Sequence, residues 1–356
     1  MATSAKLGIL TFHRCFNYGS YWQARCLAEG LMGLGYAPQL LDHQSDRVRR
    51  AEQRCLLQPS LPQRSRLPDL VSYKVKGRRF AEAWCRLPLS NPFPIDQPDE
   101  LPGYEIIIVG SDEVWNFQHP WYGYSPIFFG GGLETRRLIS YAASFGNHDA
   151  SKGIPPPWAE KLRRFHSISV RDDNSRRLVE SALGTQAELV LDPCLLFPAI
   201  IEDSCDPPHE PFALIYGHGF PPWLQHALQS WSRATGIRLL SVGYWNQWAH
   251  ESHIDAGPLQ FAQLMSQANA VVTNFFHGCV FALINRKPFL STPSAYRFNK
   301  VRDLAAALEA EHRIVTEETP QSSYRELLGA APEEHVIGRI DLLRDRSISY
   351  LRGALA

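Results

Sequence analysis

Short apolar runs alternate with amphipathic stretches along the chain, starting at KLGILTF (6–12). Runs of this length, bounded by polar loops, read as strands buried on both faces, the kind that parallel sheets use. KLGILTF leads into the polar loop HRCFNYGS, a helix-period pattern from about Tyr21 to Leu34, Gly35, and a second run, PQLLDH. That order is a βαβ unit. It recurs as YEIIIVG ending in SDEVWN, as RRLISYAASFG, as SISVRD before a helix opening near Asn174, and as AELVLDP. A second series follows 211: FALIYGHG, a helix to about Ala234, IRLLSVGY, a helix from about Pro258 to Gln267, NAVVTN, another helix, and KPFLSTP. The stretch 333–355 is an amphipathic helix.

The pattern divides the chain into an N-terminal α/β domain (1–204), a C-terminal α/β domain (205–332) and a terminal helix (333–356) that packs back on the first domain. The Asp/Pro-rich IEDSCDPPHEP (201–211) reads as the linker. Residues 44–100, rich in Arg, Gln and Pro, interrupt the first series. They read as an insertion with one or two surface helices whose arginines form a solvated face. Two α/β halves make a cleft, and open α/β sheets bind ligands at the C-terminal ends of their strands.

Composition narrows the classes. The 356 residues carry 36 basic and 36 acidic side chains, a balance that argues against a general nucleic-acid binder. No apolar run is as long as a membrane span, and the apolar part of the N-terminus is too short for a signal peptide. Seven scattered cysteines with no CxxC pair argue against a disulfide framework or zinc site, and for a reducing cytoplasm. Neither GxGxxG nor GxxxxGK[ST] occurs, which disfavours dehydrogenases and P-loop enzymes.

Four loops carry candidate chemistry. In SDEVWN, Gly110 permits a sharp turn, and Ser111, beside Asp112, donates to an anion or caps a helix. Trp115 stacks on a sugar or fills the core. In FNYGSYWQA, Asn17 and Gly19, flanking Tyr18, suit a loop entering a helix N-terminus, where free N–H groups favour anions, and Gln23 follows within a turn or two. In SVRDDNS, Arg171 ends a strand, where it binds a carboxylate or phosphate, or pairs with Asp172 or Asp173. In VVTNFFHGCVFAL, Asn274 caps a helix beginning near His277. An anionic substrate there favours the charged imidazole and makes His277 a proton donor; otherwise it is a packing residue.

Taken in order, NYGSYWQA, VGSDEVWN, ISYAASFG, ISVRD, LDPCLLF and VVTNFFHGCVFALINRKPF resemble the motifs of the polysaccharide pyruvyl transferase family, from about residue 6 to residue 312. The resemblance implies a GT-B-like fold of two Rossmann-like domains with a cleft between them. It implies transfer of a pyruvyl unit from phosphoenolpyruvate, as co-substrate, to hydroxyls of a glycan or small metabolite, as in exopolysaccharide biosynthesis. It assigns His277 as general acid and Arg171 as donor-anion binder. It places Asn17, Tyr18, Gly19, Gln23, Ser111, Asp112, Trp115, Ser144, Asn274, Gly278, Arg297 and Lys300 around the substrates. Metal and cofactor are not required. The implied setting is cytoplasmic, without an integral membrane segment, and peripheral to any membrane-bound acceptor.

Phe275 stands where many relatives have Arg and others Ser. An apolar ring cannot donate to a phosphate, so Arg297, Lys300 and Arg302 are the candidates to supply that cation. Two other readings compete: a nucleotide-sugar glycosyltransferase, with its ribose-gripping acid in ESHIDAG, and a non-catalytic member that binds a glycan or partner.

Overall fold

The computed structural model describes residues 6–101, 103–201 and 210–356. Most of the expected linker at 201–211, and the N-terminal residues 1–5, lie outside them. Contacts divide the chain into two units. One comprises 1–52, 86–200 and 340–356; the other comprises 53–85 and 201–339.

The first unit is built on a parallel sheet of β1 (Leu7–Leu10), β2 (Pro38–Leu40), β3 (Tyr104–Val109) and β4 (Thr135–Ser140), in the order β2-β1-β3-β4. Ile9 pairs in register with Ile108, and both are fully buried. The helix after β1 runs Tyr18–Gly33, three residues earlier than its apolar period predicts. The reason is Asn17, whose Oδ1 accepts from the backbone N–H groups of Gly19 (2.8 Å) and Ser20 (3.3 Å), so the helix begins directly after it. Below the sheet, Trp115, Phe117, Phe128, Phe129 and Phe145 fill one aromatic core. The runs SISVRD and AELVLDP shrink to two-residue strands, Ser169–Val170 and Glu188–Leu189, paired with each other. The first is cut short because Asp172 accepts from Ser175 N (2.8 Å) and opens the helix Asp173–Leu183.

The second unit has a five-stranded parallel sheet. Its strands are β5 (Phe212–Tyr216), β6 (Arg238–Val242), β7 (Glu251–His253), β8 (Ala270–Thr273) and β9 (Phe289–Ser291), in the order β7-β6-β5-β8-β9. Its helices include Pro222–Thr235, Pro258–Gln267 and Phe276–Ile284. Both units are therefore Rossmann-like, with strand order reversing between β1 and β3 in one and between β5 and β8 in the other.

The 44–100 segment is shared out. It contains the helices Asp46–Leu57 and Leu67–Trp84. The second helix belongs wholly to the second unit. Tyr73, Lys76, Phe80 and Ala83 form its buried face, while Leu67 and Val71 are exposed. Side chains pin it. Arg66 stacks 3.9 Å over Trp245, Lys76 Nζ donates to Gly243 O (3.1 Å), and Arg79 pairs with Asp255 (2.7 Å).

The last helix spans Glu334–Leu355. From Ile340 onward it belongs to the first unit. Tyr350 OH donates to Ser140 O (2.8 Å), Ser347 Oγ accepts from Leu191 N (2.9 Å), and Arg344 donates to Leu195 O. Among the described residues no helix is long and apolar enough to cross a membrane.

Candidate active site

In the first unit the candidates gather where the strand order reverses. Thr11, just past β1, donates to Ser111 O (2.8 Å), just past β3. Gln23 comes off the helix Tyr18–Gly33 and fills the gap. Its Oε1 accepts from Ser111 Oγ (2.5 Å), and its Nε2 donates to Phe12 O and Ser20 O (both 2.8 Å). Gly110 makes this corner possible: its φ is +110°, and a Cβ there would lie 2.4 Å from Tyr141 O. Asp112, itself at φ +73°, accepts from Ser20 Oγ (2.7 Å) and the Glu113 N–H (2.9 Å). Ser144 N donates to Asp112 O, and Ser144 Oγ accepts from Gly146 N. Beside the ends of β1 and β2, Asp42 accepts from His13 (3.0 Å) and Arg14. Burial would raise its pKa, but those two partners hold it well below the carboxylate range.

Arg171 is the centre of this unit's electrostatics. Its side chain is 1% exposed; it donates to Asp192 Oδ2 (2.8 Å) and Asp112 Oδ1 (3.0 Å). Burial disfavours its charge, yet the two carboxylates outweigh this and raise its pKa. The guanidinium thus works as a clasp between two acids. Asp172 caps a helix while its charge also favours the guanidinium, and Asp173 pairs with Arg176 and Arg177.

Other expectations change too. Trp115 is fully buried, its Nε1 donates to Phe128 O (2.7 Å), and Phe129, Phe145 and Phe165 pack on its ring, so no face is left to stack on a sugar. Ser111 donates to Gln23 rather than capping a helix. Asn17 spends its side chain on the helix N–H groups of Gly19 and Ser20. Tyr18 packs in the core beside them.

The second unit brings His277, Asn274, Gly278, Arg297 and Lys300 to the corresponding end of its sheet. The helix Phe276–Ile284 starts three residues past β8, with Phe275 as N-cap residue and no side-chain cap. The expected cap, Asn274, instead donates to His218 O (2.7 Å), joining the loops after β5 and β8. Thr273 shapes the corner: its Oγ1 accepts from Phe275 N (3.0 Å) and donates to Tyr216 O (2.7 Å). Gly278 follows from that hydroxyl, because a Cβ at 278 would lie 2.0 Å from Thr273 Oγ1. His277 is therefore held in the first helical turn, nearly buried, with its ring edge-to-face against Phe276 (5.1 Å).

Phe275 is the hub of an aromatic cluster. Its ring lies 4.7 Å from Tyr216, 5.4 Å from Tyr244 and 5.7 Å from His218. Arg297 stacks its guanidinium 4.1 Å over the Phe275 ring. Of the other candidate cations, Arg302 pairs with Asp303 (2.7 Å), and Lys300 is buried in the helix Phe298–Leu308. The acids of ESHIDAG are engaged as well: Asp255 with Arg79, Glu251 with Arg238 and His253.

Three residues at this edge escape the sequence motifs: Lys76, His218 and Tyr244. Two had a faint signal, since Gly217–His218 and Gly243–Tyr244 each put a glycine and a ring directly after an apolar strand. The third lay in a helical face, Tyr73–Lys76–Phe80, that places a lysine among buried rings.

These features define a two-unit α/β protein with polar loops at the C-terminal ends of the strands of each sheet. Residues 17–294 match the family model for polysaccharide pyruvyl transferase. The chain belongs to the polysaccharide pyruvyl transferase family, a family of transferases. No curated protein matches it. Among solved structures, the S. aureus MnaA–UDP co-structure is similar at a TM-score of 0.53 and 11% identity, covering 98% of this chain and 97% of that one. The UDP-GlcNAc 2-epimerase from Neisseria meningitidis, bound to UDP-GlcNAc, is similar at 0.50 and 11% identity, covering 96% and 98%. At such identities the likeness is one of fold, and it fits the GT-B-like architecture.

Proposed function

We propose that the protein transfers a pyruvyl unit from phosphoenolpyruvate to hydroxyls of a glycan or small-molecule acceptor, with His277 as the general acid. His277 delivers its proton to the methylene carbon of the donor. An acceptor hydroxyl oxygen bonds to the adjacent carbon and returns its proton to His277, and a second hydroxyl then displaces phosphate to close the ketal, its proton leaving with the phosphate. The donor carries a phosphate and a carboxylate, so cations must sit near the acid.

The observation that carries this reading is the Arg297 guanidinium stacked on the Phe275 ring. The family resemblance implies Arg or Ser at position 275, and the Phe275 ring there carries another residue's cation. Such a stack contributes about 0.5–2 kcal/mol, enough to orient a long side chain. Arg171, clasped by two carboxylates, is better suited to keeping Asp112 and Asp192 in place than to gripping the donor.

Purified protein given phosphoenolpyruvate and a panel of acceptor glycans is expected to release inorganic phosphate. His277→Ala should slow that release by about 10²–10⁴-fold, the usual worth of a general acid. No release with any acceptor, together with no calorimetric binding of phosphoenolpyruvate, would refute the donor. Stabilisation by UDP in a thermal-shift screen, with none by phosphoenolpyruvate, would point to a nucleotide-sugar enzyme.

A further inference from the structure

The insertion helix Leu67–Trp84 reaches the end of the second sheet that carries the Phe275 cluster. Lys76 Nζ donates to Gly243 O and lies 4.9 Å from the Tyr244 ring centre. The His218 ring is 5.1 Å from Tyr244 and 5.7 Å from Phe275, the ring that also carries Arg297 at 4.1 Å. Three basic side chains, from three separate parts of the sequence, thus converge on two adjoining rings. They do so at the loops after β5, β6 and β8, where the strand order reverses and open α/β sheets take their ligands.

We propose that Lys76, His218 and Arg297 form a subsite of the second unit for a dianionic phosphate group, with the Phe275 and Tyr244 rings as its floor. The identification of the phosphate's carrier as phosphoenolpyruvate rests on the function proposed above; the subsite itself does not.

The electrostatics support a dianion. Burial pushes Lys76 down from its usual 10.5 to about 7. Burial, then the charges of Arg297 and Lys76, push His218 down to about 4. Burial disfavours the charge of both groups, the neighbouring cations add to this at His218, and a phosphate placed among them favours the charged forms and draws protons onto both. A buried lysine is a poor choice for packing alone, since burying it costs more than burying a methionine of similar length. Acids in the neighbouring sequence are spoken for: Asp69 pairs with Arg66 and Asp255 with Arg79.

The test is calorimetric titration of full-length protein with phosphoenolpyruvate and, separately, inorganic phosphate, alongside the Lys76→Met, His218→Gln and Arg297→Met variants. Wild type should bind both anions competitively. Lys76→Met and Arg297→Met should each weaken both at least tenfold, and His218→Gln at least threefold. Wild type that binds neither anion overturns the subsite. So do variants that bind within twofold of wild type, and if phosphate release from phosphoenolpyruvate persists in them, the proposed function survives without the subsite. Conversely, phosphate binding that the variants lose, in a protein that transfers pyruvyl to no acceptor, keeps the subsite and refutes that function. His218 sits in a half-buried loop, so His218→Gln decides the matter if Lys76→Met fails to fold.

Discussion

Arg171 and Lys76 are both buried cations, but their partners assign them opposite tasks. Arg171 neutralises Asp112 and Asp192, so removing it strands two buried carboxylates. Arg171→Ala should therefore cost about 3–5 kcal/mol of stability in urea unfolding. A side chain that served only to clamp the donor would instead raise KM and leave unfolding unchanged. At Lys76 burial is what acts on the charge. With its pKa lowered from 10.5 to about 7, the folded protein binds fewer protons than the unfolded chain between those values, so stability from this group rises with pH across that window. Lys76→Met removes the dependence. Its stability advantage over wild type should grow as pH falls from 10 to 7 and level off below, by a few kcal/mol in all. A constant difference between the two proteins would mean that Lys76 is not desolvated. The sequence indicated that Arg171 ends a strand but not which acids it meets. Those acids are 59 and 21 residues away, brought in by other strand ends.

Elements were read best where periodicity and punctuation agree. The helix Pro258–Gln267 begins and ends where the sequence predicts, with proline at its start. Boundaries slipped where a single polar side chain decides them. Asn17 starts its helix early by capping it, whereas Asn274, which looks like the same device, turns to the His218 carbonyl and leaves Thr273 to hold the corner. Choosing between an asparagine that caps and one that bridges loops needs the neighbouring strand, which lies 56 residues away. Asn17→Ala should cost about 1 kcal/mol, read from thermal unfolding, as the loss of a helix cap. Gly278→Ala should cost about 1–3 kcal/mol, because its methyl meets the Thr273 hydroxyl, and should displace His277. Recovery of stability and phosphate release in the Thr273→Ser/Gly278→Ala double variant is not expected, since serine retains the offending hydroxyl.

For the whole molecule, the two α/β series were legible because each repeats strand, loop and helix with its own apolar runs. The allocation of 53–85 was not. A helical period tells which face is buried, but it is silent about what covers that face. Tyr73, Lys76, Phe80 and Ala83 announce a buried stripe without naming its cover, and the structure covers it with residues beyond 200. Neither unit is therefore one continuous stretch. A fragment of residues 1–204 lacks the helix whose Ser347 and Tyr350 engage Leu191 and Ser140, and it keeps a helix whose partners are missing. It should melt without the cooperative transition of the full chain, as followed by near-ultraviolet circular dichroism. A cooperative melt at the full-length temperature would show that the terminal helix adds nothing essential.

The helix Leu67–Trp84 also has a history set by the ribosome. It leaves the exit tunnel about 160 residues before Gly243, the backbone to which its lysine is bonded. At ~5–20 residues per second that is roughly 8–30 s of translation. During that interval its apolar stripe and its buried-to-be amine have only water or a chaperone for company. The nascent chain is thus most open to cleavage or misassociation in this segment, and slower translation downstream of it should lower the yield of native protein.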